Sequence, residues 1–98
     1  MGKVTNQGAE IRMETETAFE NSTGSLKGEN IYIDGHRYYN VYSYGVLIAE
    51  VAYQGLLNTE SGEASFKRVV WITPRKYSVT TSKHTGMARR ALTKSINA

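Results

Sequence analysis

Residues 76–95, KYSVTTSKHTGMARRALTKS, bring together Lys76, Lys83, His84, Arg89, Arg90 and Lys94 with many hydroxyls and no carboxylate. At their centre, TTSKH has the composition of a phosphate cradle. Thr80, Thr81 and Ser82 supply hydroxyl donors, and Lys83 and His84 add a charge and a ring nitrogen. A helix that starts here would add unpaired backbone N–H groups and the positive end of the peptide dipole, both favourable to an anion. Thr and Ser also cap helices with no ligand involved, so the same residues fit a plain helix start. Cations at the positive end of a helix cost a few tenths of a kcal/mol, which a bound anion would offset. The phosphate-loop pattern GxxxxGK[ST] is absent, which argues against a nucleoside triphosphate.

Charge along the chain is strongly polarised. Residues 1–63 carry four cations, Lys3, Arg12, Lys27 and Arg37, and all nine carboxylates. Residues 64–98 carry Lys67, Arg68, Arg75, Lys76, Lys83, Arg89, Arg90 and Lys94 with no acid, so the net charge of +3 conceals a dipolar chain. A block of one sign attracts anionic partners, and a basic patch is the electrostatic footprint of a nucleic-acid binder. The alternative is that the basic third pairs with the acidic remainder inside one fold.

Aromatic residues offer a second kind of surface. Tyr38, Tyr39, Tyr42 and Tyr44 crowd one short stretch, and alternation sets Tyr38, Asn40, Tyr42 and Tyr44 against Tyr39, Val41 and Ser43. One side must be core. An exposed row of Tyr38, Tyr42 and Tyr44 could stack bases or anchor a protein interface, and cross-strand packing would use the same rings. His36 and His84 could form an acid–base pair with Lys83 or Lys67, but no spacing requires them to meet. No enzymatic activity, cofactor or metal site is expected.

The elements that must position these groups follow from length and pattern. Ninety-eight residues allow one modest core. With no cysteine there is no disulfide or thiolate metal site, and the cytoplasm is the expected compartment. The start, MGKVTNQGAE, lacks the apolar stretch of an export signal, and no apolar run approaches a membrane span. Residues 1–8 read as a flexible tail and 9–98 as a single β-rich domain. Period-two alternation through Ile11, Met13, Thr15, Thr17 and Phe19 predicts a first strand with an acidic outer face, Glu14, Glu16 and Glu20. Residues 21–30 form a loop. Asp34-Gly35 predicts a tight hairpin between strands at 30–33 and 36–44. Gly45 marks a bend or bulge before a strand at 46–53, and residues 54–65 read as a second loop. Residues 66–73 carry bulky apolar groups on both faces, which predicts a central strand ended by Pro74. A short strand at 77–80 is followed by an amphipathic helix over 82–96, with Thr81 or Ser82 as cap and Met87, Ala88, Ala91, Leu92 and Ile96 as its buried stripe. The fold class is α+β, an antiparallel sheet of five to six strands with one C-terminal helix.

YSYGVLIA (Tyr42–Ala49) and KYSVTTSKH (Lys76–His84) together resemble the motifs of an uncharacterised family of small phage-encoded domains, a YGxxIA-like strand followed by a YSxTTSxH-like junction. The resemblance spans roughly residues 38–92. It implies a phage or prophage accessory protein acting in the cytoplasm of a host bacterium, and it supplies neither an activity nor site residues. The expected function is non-enzymatic binding of DNA or RNA through the basic third, with Thr80, Thr81, Ser82 and His84 assisting. The alternative is a protein that binds and modulates a host enzyme or defence complex through the tyrosine face and acidic strand. No membrane partner is expected, and no pattern specifies an oligomeric state.

Overall fold

The computed structural model describes residues 3–57 and 60–94. The chain runs β1 (Lys3–Val4), α1 (Asn6–Glu14), β2 (Phe19–Asn21), β3 (Leu26–Ile33), β4 (His36–Ser43), β5 (Val46–Leu57), β6 (Ala64–Ile72) and α2 (Val79–Lys94). The six strands form one sheet in chain order. All neighbours are antiparallel except β1, which lies parallel to β2.

Two-residue turns create the central meander. Asp34-Gly35 and Tyr44-Gly45 both have positive φ, 51° and 81° in the first and 50° and 78° in the second. Two positive φ values are the requirement of a type I′ hairpin, whose twist matches that of the strands it joins. A register shift between Val41 and Tyr42 then bends β4 against β5.

Both helices cover one face of this sheet. That face presents Leu26 and Gly28 from β3, Tyr39, Val41 and Ser43 from β4, and Ala49 and Val51 from β5, all buried. Phe19, Ala9 and Met13 from the N-terminal part and Ala88, Ala91 and Leu92 from α2 complete the core. Gly28 permits the closest approach, since a methyl group there would overlap the Phe19 ring and the Tyr39 hydroxyl. The pairs Arg90–Glu10 (2.9 Å) and Lys94–Glu14 (3.2 Å) advance in step along the two helices, which therefore run side by side in the same direction.

The largest difference from expectation is at the N-terminus. Residues 3–8, expected as a tail, enter β1 and the first turn of α1. Of the predicted first strand, residues 11–14 are helical, 15–18 are turn and connection, and only Phe19 and Glu20 belong to a strand, β2. Thr5 caps α1 by accepting a hydrogen bond from Gly8 N–H (3.1 Å). The residues that reach the core are Ala9 and Met13, four apart, whereas Ile11, assigned to the buried side of a strand, is 56% exposed. The small Ala9 completes a helical stripe that alternation among the larger residues hides.

α1 ends in a full Schellman motif: Glu16 N–H bonds Met13 O (3.1 Å) and Thr17 N–H bonds Arg12 O (2.8 Å). Glu16 therefore holds the left-handed position, φ 51°, where glycine is normal. Its carboxylate explains the exception. Arg37 Nη2 donates to Oε1 (3.0 Å), Arg68 Nε to Oε2 (3.2 Å), and Tyr53 Oη lies 2.8 and 2.7 Å from the two oxygens. Asn30 Nδ2 donates to the Glu16 carbonyl (3.4 Å) and Tyr39 Oη to that of Thr17 (2.9 Å). One acidic side chain thus joins α1 to β4, β5 and β6.

Further expectations change. Residues 26–30, read as loop, begin β3, and residues 54–57 and 64–65, read as a second loop, extend β5 and β6. β6 lies at the edge of the sheet rather than its centre; its apolar residues on the second face are covered by no helix. Tyr77–Thr80 is not a strand, because Ser78 starts α2 by accepting from Thr81 N–H (3.2 Å). The helix consequently begins earlier than predicted, and Ile96 lies outside the described residues.

Replacing Glu16 with Gln leaves two guanidinium groups facing a neutral amide at a site of low exposure, and destabilises the protein by about 2–4 kcal/mol. Glu16→Gly loses the same contacts but relieves the left-handed backbone, recovering roughly 1 kcal/mol. Urea denaturation of the two variants reads the difference. Gly28→Ala, which overpacks the Phe19–Tyr39 contact, costs about 1–3 kcal/mol in the same assay.

Candidate anion-binding groove

The helical phase of α2 divides the TTSKH segment. Thr81, His84, Thr85, Ala88, Ala91 and Leu92 form the buried stripe. Thr80, Ser82 and Lys83 are exposed. Ser43 Oγ lies 2.7 Å from His84 Nδ1 and 3.1 Å from Thr81 Oγ1, and Ser78 Oγ lies 3.2 Å from Thr81 Oγ1. This cluster fastens the start of α2 to the end of β4. A serine beside a histidine is the pairing of a nucleophile and its base. Here, however, Ser43 has no exposed surface and His84 is 3% exposed, so no substrate reaches the hydroxyl. Burial pushes the His84 imidazole below its ordinary pKa by disfavouring the charged ring.

On the exposed side a groove of about 720 Å³ runs along the first half of α2 and the segment before it. Lys76, Lys83 and Arg90 supply its charge, Tyr77, Val79 and Met87 its apolar surface, and Thr80 and Ser82 its hydroxyls. Arg75 stacks on the Tyr77 ring, 5.6 Å from its centroid. Gly86 faces the groove without a side chain, and an edge of His84 reaches it. The groove is open and cationic.

The eight basic residues of the C-terminal third do not form one surface. Arg68 turns inward to Glu16 and to Leu92 O (3.0 Å). Lys94 pairs with Glu14, and Arg90 with Glu10 while remaining 66% exposed at its side chain. Lys67 projects from the sheet face opposite the helices, by its register with Gln54 on β5. Arg89 is exposed on α2 outside the groove lining. Arg75, Lys76 and Lys83 remain together, with no carboxylate partner among the described residues.

The tyrosines also separate. Tyr38 and Tyr42 are half-buried on the open sheet face, while Tyr39 is in the core. Tyr44 leaves the row, because β4 ends at Ser43 and the hairpin turn swings its ring to the helix side, 6.2 Å from the His84 ring. It is 61% exposed. Glu14 and Glu16 of the expected acidic face are engaged by Lys94, Arg37 and Arg68. Among the described residues no cluster of three His, Asp or Glu could hold a metal, and no helix is long and apolar enough to cross a membrane.

Of the residues that line the groove, the sequence singles out Lys76, Thr80, Ser82, Lys83, His84 and Arg90 but not Tyr77, Val79 and Met87. The pattern places Tyr77 and Val79 in a strand and Met87 in the core, and Ser78 as a helix cap is the signal that moves the helix start. No protein-family model matches the chain, and neither a curated protein nor a solved structure matches it.

The buried His84 makes stability depend on pH. In the unfolded chain the ring binds a proton near pH 6.5, whereas the folded protein resists protonation. The unfolded state therefore holds more protons below that pH, and stability falls as pH drops through about 6.5 toward the lowered folded value. His84→Gln is less stable at pH 7 but removes this component. Urea midpoints at pH 7.5 and 5.5 converge between variant and wild type as the pH falls.

Proposed function

We propose that the protein is a non-enzymatic nucleic-acid-binding domain that takes a single strand in the groove beside α2. The observation that carries this reading is the convergence of Lys76, Lys83 and Arg90 on an open groove floored by Tyr77, with Arg75 stacked on that ring and with Arg75, Lys76 and Lys83 held by no carboxylate among the described residues. Phosphates meet Lys76, Lys83 and the exposed guanidinium of Arg90, with Thr80 and Ser82 as hydrogen-bond donors. A base stacks on Tyr77 or on the Arg75–Tyr77 pair, an arrangement tolerant of sequence because every base has a π-face. The groove serves a flexible strand better than a duplex, since its cations lie beside apolar side chains and not along a flat phosphate-spaced row. The resemblance to small phage-encoded domains supports a setting inside an infected bacterium.

The competing idea, modulation of a host enzyme or defence complex through tyrosines and acids, draws support from the exposure of Tyr44. It loses Glu14 and Glu16 to contacts within the chain.

Three groove cations, Lys76, Lys83 and Arg90, set the expected salt response. For single strands the slope of log K against log salt is about −0.7 per phosphate contact, so three contacts give roughly a 20-fold loss between 50 and 200 mM salt. Fluorescence anisotropy with a labelled single-stranded oligonucleotide measures it. Lys76→Glu combined with Lys83→Glu lowers affinity at least ~10-fold and cuts the slope to about a third. Tyr77→Ser costs about 1–3 kcal/mol of binding with the slope unchanged. Affinity indifferent to salt, or to the double charge reversal, refutes the reading.

A further inference from the structure

The two edges of the sheet are built differently. β1 closes one edge with only two residues, the usual device for preventing strand-to-strand association. β6 leaves the other edge open over nine residues, with no proline and no break in its register with β5. Phe66 on this strand is 73% exposed and Trp71 43% exposed.

We propose that the chain forms a two-fold homodimer by antiparallel pairing of β6 with β6 of a second copy, centred on Val69. A two-fold axis perpendicular to the sheet keeps both helical layers on the same side and requires facing residues to share a face. The axis therefore passes through a residue. Centring on Lys67 or Arg68 sets like charges directly opposite each other, which is destabilising. Centring on Val70 sets Phe66, inside β6, against Pro74, which has no N–H to donate, whereas centring on Val69 leaves Pro74 opposite only the terminal Ala64. Centring on Val69 pairs Phe66 with Ile72, Lys67 with Trp71, and Arg68 with Val70 of the second copy.

Charge complementarity favours this register. Glu50 lies beside Trp71 on the open face of the sheet and has no ion-pair partner among the described residues. Lys67 of the second copy would stand next in the same cross-strand row, so that its stem covers the indole and its ammonium turns toward the Glu50 carboxylate. Phe66, beyond the reach of the helices, gains cover from Ile72 of the second copy. Self-association consumes the long edge and places its two most exposed aromatic rings against partners. The β6 edge and the α2 groove share no residue, so this inference stands independently of the nucleic-acid reading.

The chain has no cysteine and a single tryptophan, Trp71, which makes the test direct. Sedimentation of the full chain gives twice the 10.9 kDa protomer mass at high concentration. Trp71 emission shifts to the red on dilution from about 100 µM to about 1 µM, the range in which a micromolar dimer dissociates. Val69→Cys forms a disulfide-linked dimer under mild oxidation, because facing residues of an antiparallel pair lie roughly 4.5–5.5 Å apart at Cα, within disulfide reach. Lys67→Cys does not, since its symmetry mate is displaced along the strands by about 13 Å. Monomer mass at 100 µM with tryptophan emission insensitive to dilution overturns the proposal and leaves the edge to a strand from another protein. Cross-linking of Lys67→Cys as fast as Val69→Cys overturns the register.

Discussion

The Glu16 carboxylate is the point on which the architecture depends. It sits at the end of α1 in a backbone conformation that favours glycine, and it receives Arg37 from β4, Tyr53 from β5 and Arg68 from β6. Arg68 in turn donates to the Leu92 carbonyl near the end of α2. Five elements meet through one acidic side chain and one guanidinium. In a chain of 98 residues, whose core is small, such a node has unusual weight. Among its described residues α1 has only Ala9 and Met13 fully buried, too little apolar surface to hold a nine-residue helix by packing alone. Its polar terminus supplies the missing attachment.

This arrangement changes the meaning of the polarised charge. The acidic N-terminal part and basic C-terminal third meet along the α1–α2 seam, where Glu10, Glu14 and Glu16 meet Arg90, Lys94 and Arg68. Much of the dipole in the sequence is thus internal. The contribution of the exposed pairs to stability is small, since water screens them. Their effect on direction is larger: they fix which side of α2 faces α1 and leave Lys83 on the other. Cations that remain for a partner are those of the connection between β6 and α2 and the first turns of the helix.

The sheet was largely legible in the sequence. Asp34-Gly35 located its hairpin because its turn chemistry is local, and the alternation Tyr39, Val41, Ser43 identified a buried face within one strand. α2 was legible from Met87 to Leu92 for the same reason. What failed depends on distant partners. Residues 11–20 alternate as convincingly as a strand, and only the burial of Ala9 with Met13 against α2 selects the helix. Glu16 looked like one of several surface acids, since nothing near it in sequence reveals Arg37, Tyr53 or Arg68. β6 read as central because it is apolar on both sides, a pattern equally suited to a strand whose second side meets something else. For the groove, the cations were legible as composition, but their division into paired and unpaired groups was not.

The hydroxyl-rich start of α2 shows why capping and ligand contact need not compete. Successive residues of a helix are rotated by about 100°, so a run of five polar residues must point in several directions. Thr81 and His84 turn inward to Ser43, and Ser78 caps the helix; Thr80, Ser82 and Lys83 turn outward. The inward members hold the helix start against β4, and the outward members are carried on that anchored backbone. A partner that meets this surface therefore loses less conformational freedom in ordering it than it would on a mobile loop, which is the advantage of a pre-organised site. The buried histidine serves that rigidity in its neutral form, so the firmness of the groove is linked to pH through a residue that need not touch the partner at all.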